Sequence, residues 1–123
     1  MSWTIYYHYA FEAEVDELPD EVQIELLARV ERLVELGPKA KRPMVDTLKG
    51  SKHANMKELR FKAVAGVWRV AFAFDPQRHG ILLVAGDKSG VSSSEFYRSL
   101  IGRADARFDE HLVLLEKDKK KRK

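Results

Sequence analysis

Cysteine is absent from the 123 residues. That excludes disulfides and thiolate metal sites, and it suits a reducing cytoplasm. Long apolar runs are also missing: none approaches the roughly 20 residues that a membrane-spanning helix needs. The first twenty residues, MSWTIYYHYAFEAEVDELPD, hold neither a basic n-region nor an apolar h-region and do not read as a secretion signal. There is no Walker loop, no GxGxxG and no GxSxG elbow, so phosphate-cradle and serine-hydrolase chemistry are set aside. The four histidines, His8, His53, His79 and His111, show no ligand spacing, and no HExxH occurs. No metal and no cofactor are expected. What remains is an ordinary soluble balance, 45% apolar and 33% charged, in a length that suits one domain with a core of its own.

The charge is unevenly placed. The chain carries +3 overall, but the segment 116–123, EKDKKKRK, supplies +4 of it and leaves the body at −1. Residues 1–36 hold nine acids against two bases, whereas residues 37–107 hold fourteen bases against six acids. The middle of the chain is therefore suited to an anion. The segmentation expected is a domain over 1–115 and a disordered basic tail over 116–123.

Trp3, Ile5 and Tyr7 alternate with Thr4, Tyr6 and His8 as in a short strand. Phe11, Val15 and Leu18 suggest a short helix over 10–17. A second helix begins near Pro19-Asp20, follows Val22, Leu26, Leu27, Val30, Leu33 and Val34, and stops at Gly37-Pro38. Residues 38–56 read as loop. Strands follow at Met56–Lys62, Val67–Asp75 and Ile81–Ala85. A last helix starts at Ser92, with Glu95 completing a capping box. The order β-α-α-β-β-β-α predicts an α+β domain, helices packed on one face of a small, mainly antiparallel sheet and the other face open.

The hairpin between the first two of those three strands carries the most information. A connection at Ala63–Gly66 pairs Phe61 with Trp68, Arg60 with Arg69 and Leu59 with Val70. Leu59, Phe61, Trp68 and Val70 then share a core face, and Arg60 and Arg69 oppose each other on the other. Opposed like charges destabilise a strand pair. Two guanidiniums on a rigid sheet make a phosphate clamp, and Ala71 and Ala73 leave space beside them. The alternative is that each arginine is neutralised by an acid such as Glu58, Asp75 or Asp87. Lys57 falls on the core face by strict alternation, although it stands at a strand start, where alternation often breaks. Lys49, Lys52 and His53 precede it; the two lysines also read as plain solvated loop. Lys88 follows the last strand, and Tyr97 opens the last helix, where a structural role is as natural as a chemical one.

These stretches resemble the RelE/ParE toxin superfamily, in its HigB-like, phage-derived branch. The resemblance lies in TLKGSKHANMKELRF (Thr47–Phe61), GVWRVAFAFD (Gly66–Asp75), ILLVAGDKSG (Ile81–Gly90), SEFY (Ser94–Tyr97) and the helix exit ELGP (Glu35–Pro38). It implies a RelE-like fold and a type II toxin: a ribosome-dependent endoribonuclease that cuts mRNA to a 2′,3′-cyclic phosphate and a 5′-hydroxyl. It implies that Arg69 stabilises the transition state, that Lys88 and Tyr97 complete the catalytic set, and that Arg60, Lys57, Lys52, His53 and Lys49 hold RNA. No histidine stands near Tyr97, and position 88 is lysine rather than arginine, which leaves the general acid unassigned.

The resemblance further implies a cytoplasmic protein whose partners are the ribosome, its mRNA and a cognate helix-turn-helix antitoxin of the HigA type. Operator DNA would be met only through the antitoxin complex, and no membrane is involved. Two other readings share the fold: a non-enzymatic gyrase inhibitor like the ParE branch, and a non-toxic phage-derived binding protein. Fold alone does not separate them.

Overall fold

The computed structural model describes residues 2–121. The order of elements is β1 (Thr4–Tyr7), α1 (Tyr9–Val15), α2 (Asp20–Leu36), a 3₁₀ turn (Gly37–Lys39), β2 (Val45–Thr47), β3 (Lys57–Ala63), β4 (Gly66–Phe74), β5 (His79–Asp87) and α3 (Ser93–Lys121). The five strands form one sheet in the order β1-β5-β4-β3-β2. Only β1–β5 is parallel; the other three pairings are antiparallel.

Local chemistry explains the boundaries. The His8 ring accepts a hydrogen bond from the Ala10 N–H and caps α1. Pro19 sits at the N-cap of α2, with Asp20 and Glu21 in its first turn. Gly37 ends α2 at φ +55°, and a Cβ there would fall 2.2 Å from the Trp3 indole nitrogen, so both the backbone and the packing require glycine. Ser92 Oγ accepts from the Glu95 N–H at the start of α3.

The β3–β4 register is the one that the alternation predicts: Leu59↔Val70, Arg60↔Arg69 and Phe61↔Trp68. The turn is tighter than a four-residue connection, because Ala63 pairs with Gly66 and only Val64 and Ala65 lie between. Both are left-handed, at φ 49° and 55°, the geometry of a type I′ turn filled by residues that disfavour it.

Two features depart from the sequence reading. The first is β2, inside the stretch expected to be loop. Three residues between Pro43 and Gly50 are too short to show a period, yet Val45 pairs with Leu59 and buries its side chain. The second is the open face. Helices α1 and α2 cover one side of the sheet through Phe11, Val22, Leu26, Leu33, Leu59, Val70 and Phe72. Helix α3 covers much of the other through Phe96, Leu100, Ala104 and Phe108, against Ala71, Ala73, Ile81, Leu83 and Val84. The space beside Ala71 and Ala73 is therefore occupied by a helix, not kept for a ligand. Small strand residues let the helix approach closely enough to exclude water.

Helix α3 also continues past Leu115 to Lys121, so residues 116–121 are helical where a disordered tail was expected. Glu and Lys propagate helix well, and the last-turn lysines complement the negative dipole end. The final two tail residues lie outside those described. Among the described residues no helix is long and apolar enough to cross a membrane.

Candidate active site

Strand alternation places Glu58, Arg60, Arg69 and Ala71 on the α3 side of the sheet, with Glu58↔Ala71 and Arg60↔Arg69 as register pairs. Tyr97, in the first turns of α3, comes down onto this patch. Its hydroxyl donates to Glu58 Oε1 at 2.9 Å and accepts from Arg69 Nε at 3.2 Å. Arg69 Nε lies 3.6 Å from the same Glu58 oxygen, and its Nη1 donates to the Trp68 carbonyl at 2.9 Å. Glu58 and Arg69 are only 5% and 6% exposed. The result is a buried carboxylate and guanidinium joined through a half-buried phenol in one hydrogen-bonded chain.

Burial sets the proton affinities. It raises the Glu58 carboxyl above the usual carboxylate range; the Tyr97 hydrogen bond and the charges of Arg69 and Arg60 oppose that without cancelling it. The Tyr97 phenol is also raised, again chiefly by burial, with the Arg69 hydrogen bond opposing. A carboxylate held reluctantly ionised beside a fixed cation is suited to accept a proton.

Lys88 joins from the end of β5. Its N–H donates to the Val67 carbonyl at 2.7 Å, which fixes the backbone, and its Nζ lies 5.4 Å from the centre of the Tyr97 ring. Arg60 stands beside Arg69, leans toward the sheet edge and reaches Asp46 at 3.4 Å. Four of the expected residues, Arg60, Arg69, Lys88 and Tyr97, are thus brought together. Of the acids weighed as neutralising partners, Glu58 meets Arg69. Asp87 instead caps backbone N–H groups of Val67 and Ser89, and Asp75 accepts from Gln77 N, His79 N and His111.

The other four expected residues lie elsewhere. Lys57 pairs with Phe72 and faces the opposite side of the sheet, lining a groove with Lys41, Arg42 and Thr47. Strict alternation decides its side. Lys52 forms an ion pair with Asp109, and His53 Nε2 lies 2.8 Å from the other oxygen of Asp109. Ser51 and the Lys52 N–H bond Asp105. Asp105 and Asp109 sit eight and twelve residues along α3 from Tyr97, about 12–18 Å at the helical rise. The 51–53 loop is thereby a buttress of α3 and not part of the cluster. Lys49 is exposed in the same loop.

Glu58 is the site residue that sequence reasoning misses. In the bare sequence it is only a counter-charge, although its place on the Arg60/Arg69 face is readable from the same alternation. Its value depends on burial by α3, which the pattern does not reveal.

A match to the family model for the phage-derived Gp49-like proteins spans residues 13–109. Two Mycobacterium tuberculosis proteins are similar. One, named "Putative toxin HigB2", is 44% identical over 99 residues, 80% of this chain and 49% of that protein. The other, named "Putative toxin HigB3", is 43% identical over 77 residues, 63% of this chain and 65% of that protein. The chain thus spans about half the length of the first and just under two thirds of the second. Among solved structures, a free-state arginine double mutant of the E. coli toxin RelE superposes with a TM-score of 0.60 at 12% identity, covering 82% of this chain and 95% of that one. The fold is RelE-like.

Proposed function

The chain belongs to the phage-derived Gp49-like family, and on that premise we propose that it is the toxin of a type II toxin–antitoxin pair, an endoribonuclease that cuts mRNA on the ribosome. The observation that carries the reading is the buried Glu58–Tyr97–Arg69 chain.

In the proposed reaction Glu58 takes the proton of the 2′-hydroxyl. The 2′-oxygen attacks the adjacent phosphorus, and the bond from phosphorus to the 5′-oxygen breaks. The leaving oxygen takes a proton, giving a 2′,3′-cyclic phosphate and a 5′-hydroxyl. Arg69, from its fixed position on β4, stabilises the charge that gathers on the phosphorane oxygens. Tyr97 holds the carboxylate and the guanidinium in register, and it can pass a proton between Glu58 and the leaving oxygen. Lys88 supplies a second cation over the Tyr97 ring. With the central pair so little exposed, alignment of the substrate matters as much as the groups themselves, which suits a cut made only where the ribosome presents the strand.

The polarised charge supports the partners of this reading. The basic middle of the chain faces RNA, and an acidic segment of a helix-turn-helix antitoxin competes for it; operator DNA is reached through that complex. The cationic end of α3 adds sequence-independent attraction to RNA. The test is to induce the protein, map the 5′ ends of cellular transcripts, and measure gyrase supercoiling in parallel. New 5′-hydroxyl ends within translated frames are expected, with supercoiling unchanged. Intact transcripts with inhibited gyrase would overturn the proposal.

A further inference from the structure

Arg60 faces two ways. Its charge acts on the Glu58 carboxyl, and its side chain also lines a groove of about 290 Å³ with Ala28, Arg29, Arg32, Pro43 and Met44. The groove exists because β2 begins only at Val45, opposite Leu59. Past Leu59, the edge of β3 is met only by the Pro43–Met44 segment, whose Met44 carbonyl accepts the Arg60 N–H at 2.8 Å. Arg29 and Arg32 are three residues apart on α2 and so project on the same side of the helix. The Arg29 guanidinium lies over the Phe61 ring, 5.5 Å from its centre, which fixes its stem against the core.

The cations lining this groove are paired, but loosely. Arg29 pairs with Glu25, Arg32 with Glu35 at 3.0 Å, and Arg60 with Asp46 at 3.4 Å. Asp46 is shared, since Arg42 also reaches it at 2.9 Å. Arg60 thus shares its carboxylate with Arg42, a residue of the neighbouring groove. All of these pairs are partly or largely exposed, and pairs of that kind are weak enough to exchange for a better anion. Guanidinium forks match phosphate oxygens in a bidentate geometry, and the Ala28, Pro43 and Met44 walls suit the apolar side of a sugar.

We propose that Arg29, Arg32 and Arg60 form a second phosphate subsite, which seats an RNA backbone phosphate beside the nucleotide cut at Glu58–Arg69. The proposal rests on the ribonuclease reading and extends it. RNA is favoured over an acidic peptide because Arg60 belongs to both places: the groove continues the cut site around the β3 edge, as one strand would.

The experiment compares wild type with Arg32→Gln and with Arg29→Gln/Arg32→Gln. Arg32→Gln alone leaves Arg29 stacked on Phe61, and circular dichroism confirms that each variant is folded. Cleavage is measured on ribosomes programmed with a defined mRNA, at salt between about 50 and 200 mM. Weaker hold on a backbone phosphate predicts a KM raised about three- to tenfold at the lower salt, narrowing as salt rises, with a smaller change in kcat. The slope of log affinity against log salt should fall by about 0.7 for each phosphate that is no longer neutralised.

A second message carries uncharged methylphosphonate linkages on either side of an unmodified cut site. If the phosphate belongs to the message, wild type drops to the variant's level on it and the variant does not change. If it belongs to ribosomal RNA, the gap between the proteins persists. The first result supports the subsite and the second overturns its place on the cut strand. Equal KM and equal salt slope for all three proteins would overturn it, as would variants that lose antitoxin binding while cutting normally. Should wild type leave the message whole, the ribonuclease reading itself falls, which is a distinct outcome.

Discussion

Tyr97→Phe removes one oxygen and, with it, two hydrogen bonds. The Glu58 carboxylate loses a donor at 2.9 Å and Arg69 loses an acceptor at 3.2 Å. Neither has solvent to turn to, at 5% and 6% exposure. Leaving buried polar groups unsatisfied costs about 1–3 kcal/mol, or a melting temperature lowered by about 4–12 °C for a domain of this size. The sign with pH follows from the ionisation of Glu58. The phenol favours the ionised carboxyl and lowers its pKa, while burial raises it above the ordinary value. The variant's carboxyl is therefore raised further. Its deficit in stability should be full where wild-type Glu58 is ionised and should shrink as pH falls and the carboxyl protonates. Activity should show the same shift: the acidic limb of the rate profile moves to higher pH. Thermal melts across pH, with cleavage rates on programmed ribosomes, test both. A deficit that grows on acidification, or a limb that does not move, would refute the coupling of Tyr97 to Glu58.

Arg69→Lys keeps a charge near Glu58 but loses the fork that reaches both Tyr97 and the Trp68 carbonyl. Cleavage should fall about 100-fold or more while the melt stays cooperative, and a rate near wild type would remove Arg69 from the transition state. Gly86→Ala places a Cβ 2.9 Å from the Phe96 ring. This should push the start of α3 off the sheet, costing about 1–3 kcal/mol and slowing cleavage, as read by melting temperature and rate together. Val64→Asn with Ala65→Gly supplies the residues that the type I′ turn prefers. It should stabilise by about 1–2 kcal/mol with no change in cleavage, and a lower melting temperature would mean that the turn is not strained.

The hairpin is the most legible part of the molecule. Alternation in Leu59, Phe61, Trp68, Val70 and Phe72 assigns the faces, and a short connection then allows a register that opposes Arg60 to Arg69. The same alternation correctly sends Lys57 to the other side. Packing between distant segments is not legible. Ala71 and Ala73 have one signature whether a ligand or a helix fills the space above them, and the pattern holds no information about which. Glu58 is hidden for that reason: a carboxylate on an open sheet is a counter-charge, whereas one sealed beneath Tyr97 has its proton affinity raised by burial. Lys52 and His53 look like substrate-binding groups because their anchors, Asp105 and Asp109, stand more than fifty residues away.

The covering of the sheet by α3 has a consequence for what can reach Glu58 and Arg69. Glu58 and Arg69 are closed from above by Tyr97, and from the far side by the strands themselves. Arg60 and Lys88, at the rim, are half-buried, more exposed than Glu58 and Arg69. A rigid duplex is too broad to bring a scissile bond against a guanidinium recessed in this way. A flexible single strand can fold one linkage inward and leave its neighbours outside. On the proposed ribonuclease reading, shape alone would then filter nucleic-acid form before any base is read.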